Sequence, residues 1–183
     1  MPAVTITHLE MRSPAELRPK HGDDPRFTIR ECTVKDWPFN RFCYLAVGAA
    51  WAWNDKRAWT DEQWRAYAES DRLRTFAACF DGSPAGYFEL HEGDGHEIEI
   101  AYFGLLPGFQ GRGFGGAMLT CALEEAWKSQ PRRVWVHTCT HDHAAALPNY
   151  LSRGMTVCKV VTNESSPAGL TDAPDAHRPL SQS

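Results

Sequence analysis

Two carboxylates and a glycine-rich turn lie close together in the middle of the chain. Glu97 and Glu99 stand two residues apart in the alternating run HEIEIAYF, residues 96–103, so a strand there carries both on one face. Glu89, on the preceding run, can join them across a sheet. A carboxylate on such a face can take a proton from an incoming nucleophile. Shortly after comes a turn with few side chains, Gln110, Gly111, Arg112, Gly113, Phe114, Gly115 and Gly116, leading into a helix with an apolar stripe that runs to Trp127. Backbone N–H groups at a helix N-terminus hold anions such as phosphate. A phosphate cradle beside paired carboxylates is the layout of an enzyme site.

A third set of reactive side chains is the run HTCTHDH, residues 137–143. His137, Cys139 and His141 would share a strand face and could hold a metal, but no fourth ligand follows at a recognisable spacing. We therefore expect no metal; the alternative has Asp142 capping the last helix and the histidines at the mouth of the cleft.

Literally, residues 111–116 spell GxGxxG. A Rossmann-like nucleotide site would also need a leading βαβ unit and an acidic residue about 20 positions later, on the ribose. Here hairpin signals precede the turn and the later run is RRVWV, residues 132–136. A Walker loop fails for want of a following Lys-Ser/Thr, and a kinase loop for want of its lysine strand and HRD segment.

Length and composition set the frame for these residues. The 183 residues suit one well-packed domain. A net charge of −4 argues against nucleic acid as a partner and leaves open a cationic one. No apolar run approaches the roughly 20 residues of a membrane span, and the opening MPAVTITHLEMRS lacks the pattern of a signal peptide. The six cysteines are scattered without a CxxC pair, as expected for reduced thiols in a cytoplasmic protein.

The elements that must position the site follow from periodicity and punctuation. Residues 3–10 form a short edge strand in an N-terminal extension, 1–26, whose remainder is a loop broken by Pro14, Pro19, Gly22 and Pro25. Phe27 to Thr33 alternates as a strand, and a helix starts at Asp36 and Pro38 and ends near Gly48. Thr60 and Gln63 make a capping box for a second helix. Trp51, Trp53, Trp59 and Trp64 are four of seven tryptophans; they either pack this helical layer or wall a pocket for a cation. Strands at 74–80 and 85–91 flank a hairpin signal at Asp81 to Pro84, a strand follows at 132–138, a helix at 143–153 and a last strand at 155–162. The tail, 163–183, has the composition of disorder. The whole reads as α/β with a mixed sheet.

Read from Gln110, the turn QGRGFG resembles the Q/R-x-x-G-x-G/A signature of the GNAT acetyltransferase superfamily. The strand EIAYFGLLPGF resembles that family's fourth strand, and ALPNYLSRGM, residues 146–155, resembles its A-x-x-x-Y-x-x-x-G-F segment. The similarity covers about 27–162. Met155 replaces the usual phenylalanine, and Pro148 falls inside the last helix, where it should shorten or kink it.

The resemblance implies a mostly antiparallel GNAT-like sheet flanked by about four helices in a single domain, 27–162. It implies an acetyl-coenzyme A-dependent N-acetyltransferase acting on a primary amine of a small molecule or peptide, by direct attack in a ternary complex. Acyl transfer through Cys121 or Cys139 is the alternative mechanism. The cofactor would lie along the backbone of Phe103, Gly104 and Leu105 and on the turn, Gln110 to Gly116, with Arg112 or Gln110 on phosphate oxygens. His143 falls where the family often has an asparagine near the cofactor. Glu99, eleven residues before Gln110, is the implied base, with Glu97 second. Leu105, on the family's strand bulge, offers its N–H to the oxyanion, and Tyr150 protonates the departing thiolate. GNAT-like domains are frequently homodimers. Two other classes stay open: a coenzyme A-binding module without catalysis, and a Rossmann-like nucleotide binder.

Overall fold

The computed structural model describes residues 3–51 and 53–163, so the expected disordered tail lies outside the described residues except for Asn163. Seven strands form one sheet: β1 (Val4–Met11), β2 (Phe27–Glu31), β3 (Leu73–Phe80), β4 (Ser83–Gly93), β5 (Glu97–Leu105), β6 (Arg133–Cys139) and β7 (Thr156–Asn163), in the order β2-β3-β4-β5-β6-β1-β7. Every neighbouring pair is antiparallel except β5 and β6. The helices are α1 (Trp37–Gly48), α2 (Asp61–Ala68), α3 (Phe114–Trp127) and α4 (Ala146–Ser152).

Local signals explain most of these elements. Asp81 and Gly82 both have positive φ, 50° and 77°, as a two-residue turn between right-twisting strands requires. Thr60 and Gln63 form the capping box reciprocally at the start of α2. Along α3, Met118, Leu119, Ala122, Leu123 and Ala126 are buried and pack with Phe76, Phe88, Leu90, Ile98, Ile100, Val134 and Val136 of the sheet. The other sheet face meets α1 and α2, where Tyr44, Trp64 and Tyr67 form a second cluster and Cys43, Val47 and Tyr87 a third.

Three expectations are corrected. The first strand is not an edge: β1 sits between β6 and β7 and pairs with both, because its partners arrive from the far end of the chain. The last helix is shorter than 143–153; it begins at Ala146, which puts Pro148 in the first turn, where a missing N–H breaks no intrahelical bond. Asp142 does not cap that helix. Its carboxylate accepts from the Thr138 hydroxyl at 2.7 Å and the Cys139 N–H at 2.8 Å, closing the turn after β6.

Candidate active site

The parallel ladder between β5 and β6 covers only Glu97 to Glu99 against Arg133 to Trp135. Beyond Glu99 no pairing to β6 exists, and the two strands part. On its other edge β5 stays zipped to β4 as far as Gly86 opposite Leu105. The Leu106 N–H bonds the Ala85 carbonyl at 2.8 Å. Since ladder bonds alternate along a strand, the Leu105 N–H faces the parted side. The register slips between Glu89 and Leu90, where Ala101 is the extra residue. The bulge expected at Leu105 thus lies earlier in the strand, but the Leu105 amide still faces the gap.

The glycine turn stands at the end of this gap. Gly113 has φ +83° and immediately precedes α3, a conformation that lets the chain turn sharply and leave the first amides of α3 uncapped by any side chain. Gln110 donates from Nε2 to the Leu105 carbonyl at 3.1 Å, so its side chain ties the turn back to β5. Arg112 stacks its guanidinium on Phe80, 4.4 Å from the ring centroid, and on Phe114 at 5.2 Å. The Phe114 ring is core, parallel to Phe27 at 4.3 Å, which leaves its backbone at the turn. Gly104 is required by packing, because a Cβ there would run into Val47 of α1. Two cations not foreseen from the sequence border the α3 N-terminus. A Cβ on Gly113 would lie 3.9 Å from Lys20 Nζ, and one on Gly116 2.9 Å from Arg153 Nη1.

The two predicted carboxylates have different surroundings. Glu97 accepts from Arg133 Nη2 at 2.8 Å, while Arg133 Nη1 reaches Glu10 at 2.9 Å, so Glu97 is held in an ion-pair chain. Glu99 is buried, and its Oε1 lies 3.6 Å from His137 Nδ1. That carboxylate draws the His137 imidazole pKa above its ordinary value, against the effect of burial. Glu89 joins neither. It is buried under α1 and α2, accepts from Asn40 Nδ2 at 2.7 Å and the Tyr67 hydroxyl at 2.5 Å, and burial raises its pKa.

Tyr150 lies across the parted strands from β5, its ring 6.2 Å from that of Phe103. It is 5% exposed, and its hydroxyl, which has no protein partner among the described residues and is not fully enclosed, keeps a contact with solvent. Burial pushes its pKa up, so the hydroxyl keeps its proton in the neutral range. His143 precedes α4, accepts the Ala145 N–H on Nδ1 at 3.0 Å, and meets the edge of Trp51 at 5.1 Å. That contact joins the loop after α1 to the loop after β6.

The tryptophans divide between the two readings offered for them. Trp64 is core. Trp59, with Tyr67 and Tyr102, does surround a cation, but it is the protein's own Lys56, whose Nζ lies 4.4, 4.8 and 4.9 Å from the three ring centroids. Lys56 also donates to Asp55 at 3.0 Å and to the Tyr102 hydroxyl at 2.9 Å, and Asp55 accepts from Tyr44 and Tyr102 as well. Nothing in the spacing of residues 51–64 marks Lys56 as buried. All six cysteines are free. Burial drives the Cys121 thiol up to about 11 and that of Cys139 above its ordinary value, which argues against either as a thiolate nucleophile. Among the described residues no group of His, Cys, Asp and Glu is arranged to hold a metal, and no helix is long and apolar enough to cross a membrane.

A mostly antiparallel sheet that parts beside a glycine-led helix, with a carboxylate and a tyrosine at the gap, is the framework of an acyltransferase. The family model described as the acetyltransferase (GNAT) family matches residues 29–155, and the chain belongs to that family. Solved structures agree on the fold. A GCN5-related N-acetyltransferase from Sphaerobacter thermophilus superposes with a TM-score of 0.66 at 20% identity, covering 88% of this chain and 51% of that one. One from Kribbella flavida gives 0.62 at 17%, covering 91% and 61%. An aminoglycoside acetyltransferase from an uncultured soil metagenomic sample gives 0.64 at 15%, covering 81% of this chain and all, 100%, of that one. The chain thus spans little more than half the length of the first two. Comparison with curated protein sequences finds no match. The Rossmann-like alternative does not survive the topology, since the glycine turn follows the antiparallel run β3-β4-β5 and not a βαβ unit.

Proposed function

We propose that the chain moves an acetyl group from acetyl-coenzyme A to a primary amine of a small molecule or peptide, by direct attack in a ternary complex. The parted β5–β6 edge carries this reading. It presents the Leu105 N–H to a gap bordered by Glu99 and Tyr150. A donor there stabilises charge developing on a carbonyl oxygen. Glu99 supports removal of the proton from the amine, and Tyr150 supplies one to the leaving sulfur.

The residues at the turn fit the phosphates of coenzyme A. The amides that open α3 have no side-chain cap, and Lys20 and Arg153 add positive charge beside Gly113 and Gly116. When bound, the cofactor supplies the activated thioester; the chain anchors it and aligns the acceptor. The Glu99 carboxylate beside the gap favours a cationic amine.

Thermal shift with acetyl-coenzyme A, coenzyme A and NAD in parallel tests the reading. Saturating acetyl-coenzyme A at 100 times its Kd should add about 2.7 kcal/mol of stability. Stabilisation by NAD alone would sink it. Binding of coenzyme A with no thiol release across a panel of primary amines would instead define a non-catalytic binding module.

A further inference from the structure

His137 presents an imidazole to the same gap with one nitrogen engaged and the other free. Its Nδ1 faces Glu99 Oε1 at 3.6 Å, and the two side chains differ sharply in access, 44% exposed for His137 against 8% for Glu99. The imidazole is therefore the more open of the two to an ammonium arriving from solvent. The imidazole Nε2 has no protein hydrogen bond among the described residues. The last paired residues are Glu99 and Trp135, so His137 lies two residues further on, where β6 has parted from β5.

We propose that the proton leaving the acceptor ammonium passes first to Nε2 of His137, and that Glu99 is a positioning residue holding the imidazole through Nδ1. The inference rests on the amine-acetylation reading and assigns its first proton transfer. Neutral His137 carries its hydrogen on Nδ1, toward the Glu99 carboxylate, and keeps the Nε2 lone pair for the ammonium. The ammonium gives one proton to Nε2. The freed nitrogen lone pair then forms the C–N bond as the C–S bond breaks, and the amine's second proton leaves with the sulfur by way of Tyr150. The imidazolium, stabilised by Glu99, returns its proton to solvent.

The other charges around His137 are accounted for. On β1, His8 lies 5.7 Å away ring to ring, and burial with the neighbouring His137 and Lys159 lowers its pKa. Glu10 and Arg133 are paired with each other. Lys159 of β7 lies beyond His8, to which it is paired in register. Asp142 is bound to Thr138 and Cys139, and Asp55 to two tyrosines and Lys56. Glu99 is left as the carboxylate that answers the imidazole directly.

Two measurements on the full chain test this. Nitrogen-15 NMR of the imidazoles, which needs no acceptor, should find His137 as the Nδ1–H tautomer titrating above an ordinary histidine, and Glu99→Gln should bring that titration down. An Nε2–H tautomer, or a titration indifferent to Glu99→Gln, overturns the proposal. Free-thiol release with acetyl-coenzyme A and a panel of spermidine, an aminoglycoside and a lysine peptide should fall at low pH, because protonated His137 cannot accept. His137→Gln should reduce kcat/KM about 100-fold, erase that acid limb and recover partly with added imidazole, at unchanged acetyl-coenzyme A affinity. Glu99→Gln should keep the limb but move it to lower pH. If His137→Gln retains rate and limb while thiol release persists, His137 is not the acceptor and the acetyltransferase reading stands. If the wild type releases thiol with no amine, both fall together.

Discussion

Strands β3 to β5 present two different surfaces to the two helical layers. Toward α3 they offer Phe76, Phe88, Leu90, Ile98 and Ile100, all buried in one apolar cluster. Toward α1 and α2 the same strands offer, beside Leu73 and Tyr87, the polar groups of Thr75, Glu89, Glu99 and Tyr102. The apolar face stabilises by area and shape, so it needs little from any single residue beyond volume. The polar face must satisfy each group with a named partner, because a buried unpaired donor or acceptor costs about 1–3 kcal/mol. Chemistry requires groups of that second kind, and the fold can hold them because the first face supplies the stability.

The largest effect that would sharpen this contrast is on the apolar face. Leu123→Ala, at a fully buried site facing the sheet, should cost about 2–5 kcal/mol in chemical denaturation without moving the pH profile of thiol release. Tyr150→Phe, at the boundary of core and site, should lower kcat about 100-fold, worth about 2.7 kcal/mol of barrier, while the denaturation midpoint barely moves. A loss of stability with no loss of rate would return Tyr150 to the core.

A smaller effect belongs to Glu89. Burial raises its pKa in the folded state, so the folded protein binds that proton more tightly than the unfolded chain does. Its stabilising contribution is complete below the unfolded value and is lost as pH rises through the raised one, with a slope of at most about 1.4 kcal/mol per pH unit. Urea midpoints from pH 5 upward should show this decline, and Glu89→Gln should flatten it. The depressed carboxylates Glu10 and Glu31 act oppositely and in a separate window, losing their contribution as pH falls below the ordinary carboxylate range. Smallest is Glu97→Gln. Its ion pair with Arg133 is partly exposed, so the cost should stay under about 1 kcal/mol, and thiol release should change far less than in Glu99→Gln.

The sequence carried the apolar face well, because periodicity reports burial directly. The stripe of α3, the alternation of β5 and the hairpin at Asp81 and Gly82 all fold as their patterns indicate. It carried the polar face poorly, since partners there come from distant segments. Glu97 and Glu99 look equivalent in a two-residue spacing, and only the arrival of Arg133 and His137 on β6 separates them. Lys20 reaches the α3 N-terminus because its backbone N–H bonds the Thr120 hydroxyl at 2.9 Å, a contact across a loop that no local signal announces.

The placement of β1 bears on how the chain comes to be folded at all. Its hydrogen-bonding edges are filled by β6 and β7, with Met11 opposite Val134 and Val4 opposite Asn163. During synthesis this strand is made before β6 and β7, the two strands that fill its edges. Contacts this distant in sequence slow the search for the native state. An unpaired strand is also a template for wrong partners while it waits. A chain stopped before β7 therefore leaves β1 as a raw edge, and aggregation during translation, before any loss of chemistry, is the failure such a truncation invites.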